Sequence, residues 1–141
     1  SYEQAFNVMR RLRLPYSQAQ EMFRRIVFNV VVRNQDDHTK NISFLMDSSG
    51  QWSLSPAYDM GFAYNPLGAW TATHQMSING KFDNITRADL LSLANANNIK
   101  NASEIIDQVC ETTAGWPELA KNCGVPQKMI DSIVPHMLLS I

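Results

Sequence analysis

The sequence predicts a single α+β domain, mainly α-helical, with one small β-hairpin. Apolar residues recur at helical spacing over most of the chain, and strand-like texture is confined to residues 42–54. The 141 residues, 45% of them hydrophobic, are enough for one domain with a real core.

Residues 2–13 set Phe6, Val8, Met9 and Leu12 among Arg10, Arg11 and Arg13, a short amphipathic helix stopped by Pro15. Ser17 then reads as an N-cap with Gln20 three residues on, the spacing of a capping box. Met22, Phe23, Ile26, Val27, Val30 and Val31 carry that helix to about Arg33. The β-branched run at 26–32 has strand character, but the capped polar half before it favours one long buried helix. Residues 42–46 and 51–54 flank Asp47-Ser48-Ser49-Gly50 and read as a hairpin. From about 60 to 85 the chain carries Gly61, Pro66, Gly68 and Gly80 and is irregular, apart from a short strand at Gln75–Ile78. Thr86 with Asp89 opens a helix that turns Leu90, Leu91 and Leu93 inward, and Asn101 with Glu104 opens another with Ile105, Ile106, Val109 and Cys110. Pro126 starts a last helix carrying Met129, Ile130, Ile133, Met137 and Leu138, which Pro135 kinks or splits.

Composition removes several function classes. Twelve Lys+Arg against 13 Asp+Glu leave a net charge of −1, which argues against a protein that coats nucleic acid or an anionic membrane through bulk electrostatics. Cys110 and Cys123 are the only cysteines, without a CxxC or a nearby His pair, so they support neither a zinc knuckle nor a redox dithiol and fit reduced thiols in a cytoplasmic protein. The longest apolar run, Ile26–Val32, is interrupted by Asn29 and falls far short of the roughly 18 residues of a membrane span. The chain begins at Ser1 inside a helical pattern, which suggests a piece of a longer protein.

Chemistry is concentrated in Asn34-Gln35-Asp36-Asp37-His38-Thr39-Lys40-Asn41, between the buried helix and the hairpin. A polar helix-to-strand turn accounts for such a stretch on its own. Spacing says more. Phosphoryl transfer needs a base to orient a hydroxyl and oxygen ligands for Mg²⁺ held nearby, and in a protein-kinase catalytic loop the base Asp precedes the metal-binding Asn by five positions. Asp36 lies five before Asn41, and beyond the hairpin Asp59-Met60-Gly61 supplies the second metal Asp in an Asp-x-Gly step. Asp37, only four before the Asn, is excluded from the base role, so Asp37→Asn is expected to be mild.

The segment Asn34–Phe44, with Ser55-Pro56-Ala57-Tyr58-Asp59 and His74–Lys81, closely resembles the C-terminal lobe of HipA-like serine/threonine kinases, the toxins of bacterial type II toxin–antitoxin modules. The resemblance covers nearly the whole chain, and Asp36-x-His38-x-Lys40-Asn41 is its specific core. It implies a protein-kinase-like C-terminal lobe whose small hairpin carries the catalytic loop, with Asp36 as catalytic base and Asn41 and Asp59 holding Mg²⁺ beside ATP. It also implies a helix-turn-helix antitoxin as partner, contact with nucleic acid only through that antitoxin, and an aminoacyl-tRNA synthetase as the protein substrate. A Gly-rich phosphate loop and a strand Lys paired to a helix Glu are missing, and the family places these in an N-terminal lobe. Residues 1–141 alone are therefore expected to bind Mg²⁺ weakly and to leave ATP intact; sustained hydrolysis by this chain would contradict that.

Around this core, Lys40 is assigned to a phosphate, since an ammonium beside a metal–phosphate site offsets developing negative charge. His38, between the base and the metal Asn, is expected to donate an orienting hydrogen bond. His74 and His136 are read as structural or exposed, Tyr58 as packing on the loop, and Arg10, Arg11, Arg13, Arg24 and Arg25 as a solvated face. The alternatives are a non-catalytic helical binding module or degenerate kinase-like lobe, a helix-turn-helix reader using Thr86–Ile99, and a kinase for lipid or small-molecule hydroxyls.

Overall fold

The computed structural model describes residues 1–141. Six helices and one two-stranded hairpin make up the chain, and the longest helix forms its centre. Helix α1 (Tyr2–Arg11) begins with a capping box: the Ser1 hydroxyl accepts from the Gln4 amide, and the Gln4 side chain accepts from the Ser1 amino group. Tyr2, Ala5, Phe6 and Met9 form its buried stripe at the i, i+3, i+4, i+7 spacing of one helix face.

Helix α2 (Tyr16–Val31) buries Met22, Phe23, Ile26, Val27, Val30 and Val31 almost completely. The β-branched run is thus helical. Tertiary packing decides it, because α4 (Ala102–Ala114) lies along α2 and buries Ile105, Ile106 and Val109 on the facing side. The helix starts two residues earlier than Ser17 implies: Pro15 is the N-cap residue, its carbonyl accepts from Gln18 and Ala19, and Ser17 lies inside the first turn without a capping bond. It ends at Val31, two residues before Arg33.

The hairpin pairs β1 (Phe44–Met46) with β2 (Trp52–Leu54) in the register Phe44↔Leu54, Leu45↔Ser53 and Met46↔Trp52. Asp47 builds its turn by accepting from the Ser49 and Gln51 amides and the Ser49 hydroxyl, which hold its carboxyl below the usual range, while Gly50 takes the left-handed position at φ 82°. Phe44 and Leu54 rest against the core, and Leu45, Met46 and Trp52 remain exposed. The hairpin is pinned to α2 by the Gln18 side chain, which accepts from the Leu54 amide at 2.7 Å.

Residues 60–85 are irregular, as expected, but Gln75–Ile78 is not a strand. No neighbouring strand is there to pair with it, and its one bridge, Ile78 to Lys81, closes a turn over Asn79 and Gly80. Helix α3 (Arg87–Ala96) has the expected Thr86/Asp89 capping box, with Leu90 and Leu93 buried but Leu91 at the surface. Asn101 does precede α4, yet its side chain accepts from Gln20 instead of capping the helix.

Helix α5 (Trp116–Asn122) is absent from the sequence reading, although Pro117 in its first turn and Glu118 behind it are start signals. Helix α6 (Gln127–Ile133) follows Pro126, and Pro135 ends it in a 3-10 turn at Val134–His136. Ile130 is its buried residue, while Met129 is exposed.

One surface-proximal carboxylate matters for acid stability. Lys81, the Thr86 amide and the Thr86 hydroxyl hold the Asp89 carboxyl down to about 2, with the lysine contact the largest cause. A depressed value means the ionised form stabilises the fold above the ordinary 3.8, and that contribution is lost as pH falls toward about 2. Asp89→Asn is expected to lower stability at neutral pH and to flatten the denaturation midpoint across that acid window; an unchanged acid slope would remove Asp89 from the account.

Candidate functional site

The chain leaves α2 through a left-handed turn at Arg33, φ 54°, where the Asn34 amide closes back onto the Asn29 carbonyl at 2.8 Å. Arg33 places its guanidinium 4.3 Å from the Tyr64 ring centre, and its buried Nε has no hydrogen-bond partner. A short parallel bridge follows: Gln35 donates to the Ala63 carbonyl and Ala63 to the Arg33 carbonyl, each at 3.1 Å. This bridge ties the polar loop to the segment beyond Asp59. Extended residues then lead to a 3-10 turn at Thr39–Asn41, immediately before the hairpin. The loop precedes the hairpin; the hairpin spans the distance between it and Asp59.

The five-residue spacing from Asp36 to Asn41 has a direct structural expression. The Asp36 carbonyl accepts from the His38 amide at 2.9 Å and from the Asn41 side-chain nitrogen at 3.1 Å. That bond commits Asn41 Nδ2 and leaves its Oδ1 without a protein partner. Neither the Asp36 nor the Asp59 carboxylate makes a hydrogen bond or ion pair within the protein.

Asn41, Asp59 and His38 line one cleft, together with Asn34, Arg25 and Tyr58. Asp36 and Lys40 are not among its lining residues, so the cleft brings Asn41 together with Asp59. Asp59 sits at φ 54°, in the left-handed region, with its side chain at the surface. Its segment is clamped from below: Arg25 donates to the Ser55 carbonyl at 3.0 Å, and the Ser43 and Ser55 hydroxyls meet at 2.9 Å. Tyr58 donates its hydroxyl to the Lys40 carbonyl at 2.7 Å, locking the loop to the Asp59 segment as its expected packing role requires.

Lys40 is exposed and forms no ion pair, so it does not balance the charge of Asp36 or Asp37. His38 makes no side-chain bond to either neighbour, and its Nδ1 is buried without a partner, so the orienting bond assigned to it is not made here. Among the arginines only part of the expected solvated face is free, since Arg25 is clamped onto Ser55 and Arg24 is bonded to Gln108.

Asp37 behaves unlike its neighbour. Its side chain is 1% exposed and accepts from Tyr2 Oη at 2.7 Å, His74 Nδ1 at 2.9 Å and the Gln75 amide at 2.7 Å. Burial, and then the Asp37 charge, push the Tyr2 hydroxyl well above the usual phenol range, which keeps it a donor. The carboxylate is a structural hub, so Asp37→Asn is expected to lower stability, an effect its spacing does not foresee. Sequence spacing separates Asp37 from the base role but carries no information about its burial. Tyr2, Asn29 and His74 have no sequence signal as site-supporting residues, because their contacts span 27 to 37 positions.

The donor set is one amide oxygen and one carboxylate, both hard oxygen ligands and both uncommitted. No cluster of three or more His, Cys, Asp or Glu capable of caging a metal exists in the chain. Those features fit Mg²⁺, which takes one or two protein oxygens and fills its remaining positions with phosphate and water, and they do not fit a structural zinc site.

Residues 1–134 match the family model described as the HipA-like C-terminal domain. A protein of Sinorhizobium fredii (strain NBRC 101917 / NGR234), named "Putative kinase Y4dM", is 31% identical over 121 residues, which is 82% of this chain and 29% of that relative. The chain therefore spans less than a third of the length of the relative it matches. No solved structure matches it. No helix is long and apolar enough to cross a membrane. With residues 1–134 matched, the chain belongs to the HipA-like C-terminal domain family.

Proposed function

We propose that the chain is the catalytic lobe of a serine/threonine protein kinase that moves the γ-phosphoryl group of ATP to a protein hydroxyl. One observation carries the assignment: Asn41 and Asp59, whose side-chain oxygens have no protein partner, line one cleft at the end of a loop whose Asp36 carbonyl fixes the Asn41 amide. Bound there, Mg²⁺ supplies neutralisation of the triphosphate charge. The Asp36 carboxylate accepts the proton of the acceptor hydroxyl as its oxygen bonds to the γ-phosphorus. The bond from that phosphorus to the bridging oxygen breaks, and ADP leaves with the electron pair. Lys40, exposed and unpaired, supplies an ammonium for a phosphate oxygen. His38 Nδ1, buried in the cleft wall without a partner, is available to a bound substrate group.

The family supports a finer reading: a toxin of a toxin–antitoxin module, bound by a helix-turn-helix antitoxin and acting on an aminoacyl-tRNA synthetase, with ATP closed in by a separate N-terminal lobe. The test is transfer of radiolabelled γ-phosphate by the longer protein that carries this chain, followed by phosphoamino-acid analysis. Phosphoserine or phosphothreonine is expected, and its loss when Asn41 and Asp59 are both replaced by Ala. Undiminished transfer by that double variant would overturn the assignment.

A further inference from the structure

We propose that Asn34 is a positioning residue for Asp59, held in place by a buried hydrogen-bond chain that ends on Asp37. The inference rests on the kinase reading, in which Asp59 is a metal ligand, and extends it to the residues that hold the Asp59 backbone.

The chain has a fixed direction. Asp37 is buried and, as a carboxylate, only accepts, so Tyr2 must donate to it, at 2.7 Å. The Tyr2 oxygen is then left to accept, and does so from Asn29 Nδ2 at 3.0 Å. With its nitrogen spent, Asn29 presents Oδ1, which accepts from Asn34 Nδ2 at 2.9 Å. The second hydrogen of that same nitrogen reaches the Asp59 carbonyl at 3.4 Å. On the other side His74 Nδ1 and the Gln75 amide also donate to Asp37, which fixes the His74 tautomer and anchors the carboxylate from a third segment. Every amide orientation follows from the single anion at the end.

The far end of the chain needs holding. Asp59 has a left-handed backbone, which residues with a Cβ adopt rarely and keep only when the surroundings impose it. Its own carboxylate is uncommitted, so no side-chain bond of Asp59 sets that geometry. Asn34 is 3% exposed, so water does not compete for its bond, and the backbone bridge to Ala63 fixes the asparagine against the same segment. The longest link, 3.4 Å, is the one to Asp59.

The test uses Asn34→Ala, Tyr2→Phe and Asp59→Asn in the longer protein, reading the Mg²⁺ concentration for half-maximal phosphate transfer, the KM for the protein acceptor, and Tm. Asn34→Ala is expected to raise the Mg²⁺ requirement by about 10-fold, the lower end for groups that orient a metal ligand, with acceptor KM unchanged and turnover partly recovered in Mn²⁺. Tyr2→Phe should shift the requirement in the same direction by less, and it reads the chain even if Asn34→Ala fails to fold. A fall in Tm with no change in Mg²⁺ requirement in either variant would overturn the positioning role while Asp59→Asn still shows its own Mg²⁺ defect. If Asp59→Asn also leaves the Mg²⁺ requirement unchanged, the kinase reading of Asp59 fails, and the positioning role falls with it.

Discussion

Asp36→Asn and Asp59→Asn, each made in the longer protein, are expected to cut phosphorylation to a small residual rate by separable routes. Asp36 takes the proton of the acceptor hydroxyl and aligns that hydroxyl, and its carboxylate has no protein partner to lose. Its replacement should slow turnover by about 10² to 10⁴ while nucleotide affinity in Mg²⁺ stays nearly intact. Asp59→Asn exchanges a charged oxygen for a neutral amide at the metal. Nucleotide binding in Mg²⁺ should weaken together with turnover, and raised Mg²⁺ or added Mn²⁺ should restore part of both. Single-turnover rates measured beside nucleotide affinity separate the two. Equal loss of nucleotide affinity in both variants would refute the division of roles.

Asp37→Ala is expected to be the most damaging single change to stability in the loop. It leaves the Tyr2 hydroxyl, the His74 Nδ1–H and the Gln75 amide without their acceptor in a buried site. Loss of one partner from a buried, charge-assisted network costs about 3–5 kcal/mol, a large fraction of the roughly 5–15 kcal/mol that holds a domain together. Asp37→Asn, which keeps one accepting oxygen, should cost less but still lower the urea midpoint clearly. Loop geometry ties the two kinds of effect together: Asp36 and Asp37 are adjacent, yet one points its chemistry outward while the other is folded into the base of the site. A stable Asp37→Ala variant with wild-type midpoint would show that the buried network contributes little.

The helical frame was legible because its signals are local. Met22, Phe23, Ile26, Val27, Val30 and Val31 recur at helix spacing, Thr86 with Asp89 is a capping box, and Asp47–Gly50 is a turn between two short apolar runs. What went unread is what distance along the chain conceals. Ser17 looks like a cap, but whether α2 begins there or one residue after Pro15 depends on the packing of its first turn. Gln75–Ile78 has strand-forming residues and no strand to pair with, a fact that only the fold supplies. Helix α5 is short, seven residues, and its apolar period is too brief to stand out from the loops on either side.

The site divides in the same manner. Asp36, Asn41 and Asp59 follow from spacing within one loop and one tripeptide, and the bond from Asn41 to the Asp36 carbonyl is the local geometry behind that spacing. The support beneath them does not follow from spacing. Tyr2 is the second residue of the chain and His74 lies far beyond the hairpin, yet both converge on Asp37. Arg25 reads as one basic residue among several on a helix face until its bond to the Ser55 carbonyl shows it holding the Asp59 segment.

The most direct test of the central claim is a crystal structure of the longer protein with a non-hydrolysable ATP analogue and Mn²⁺, the metal located by its anomalous signal. The account predicts one or two metal peaks in the cleft beside the hairpin, at least one of them about 2.0–2.3 Å from Asp59 and from Asn41 Oδ1. It also predicts the γ-phosphate within reach of the Asp36 carboxylate and Asp59 still in its left-handed conformation under Asn34. Metal bound only through other residues, or Asp36 turned away from the γ-phosphate on the far side of the loop, would contradict it.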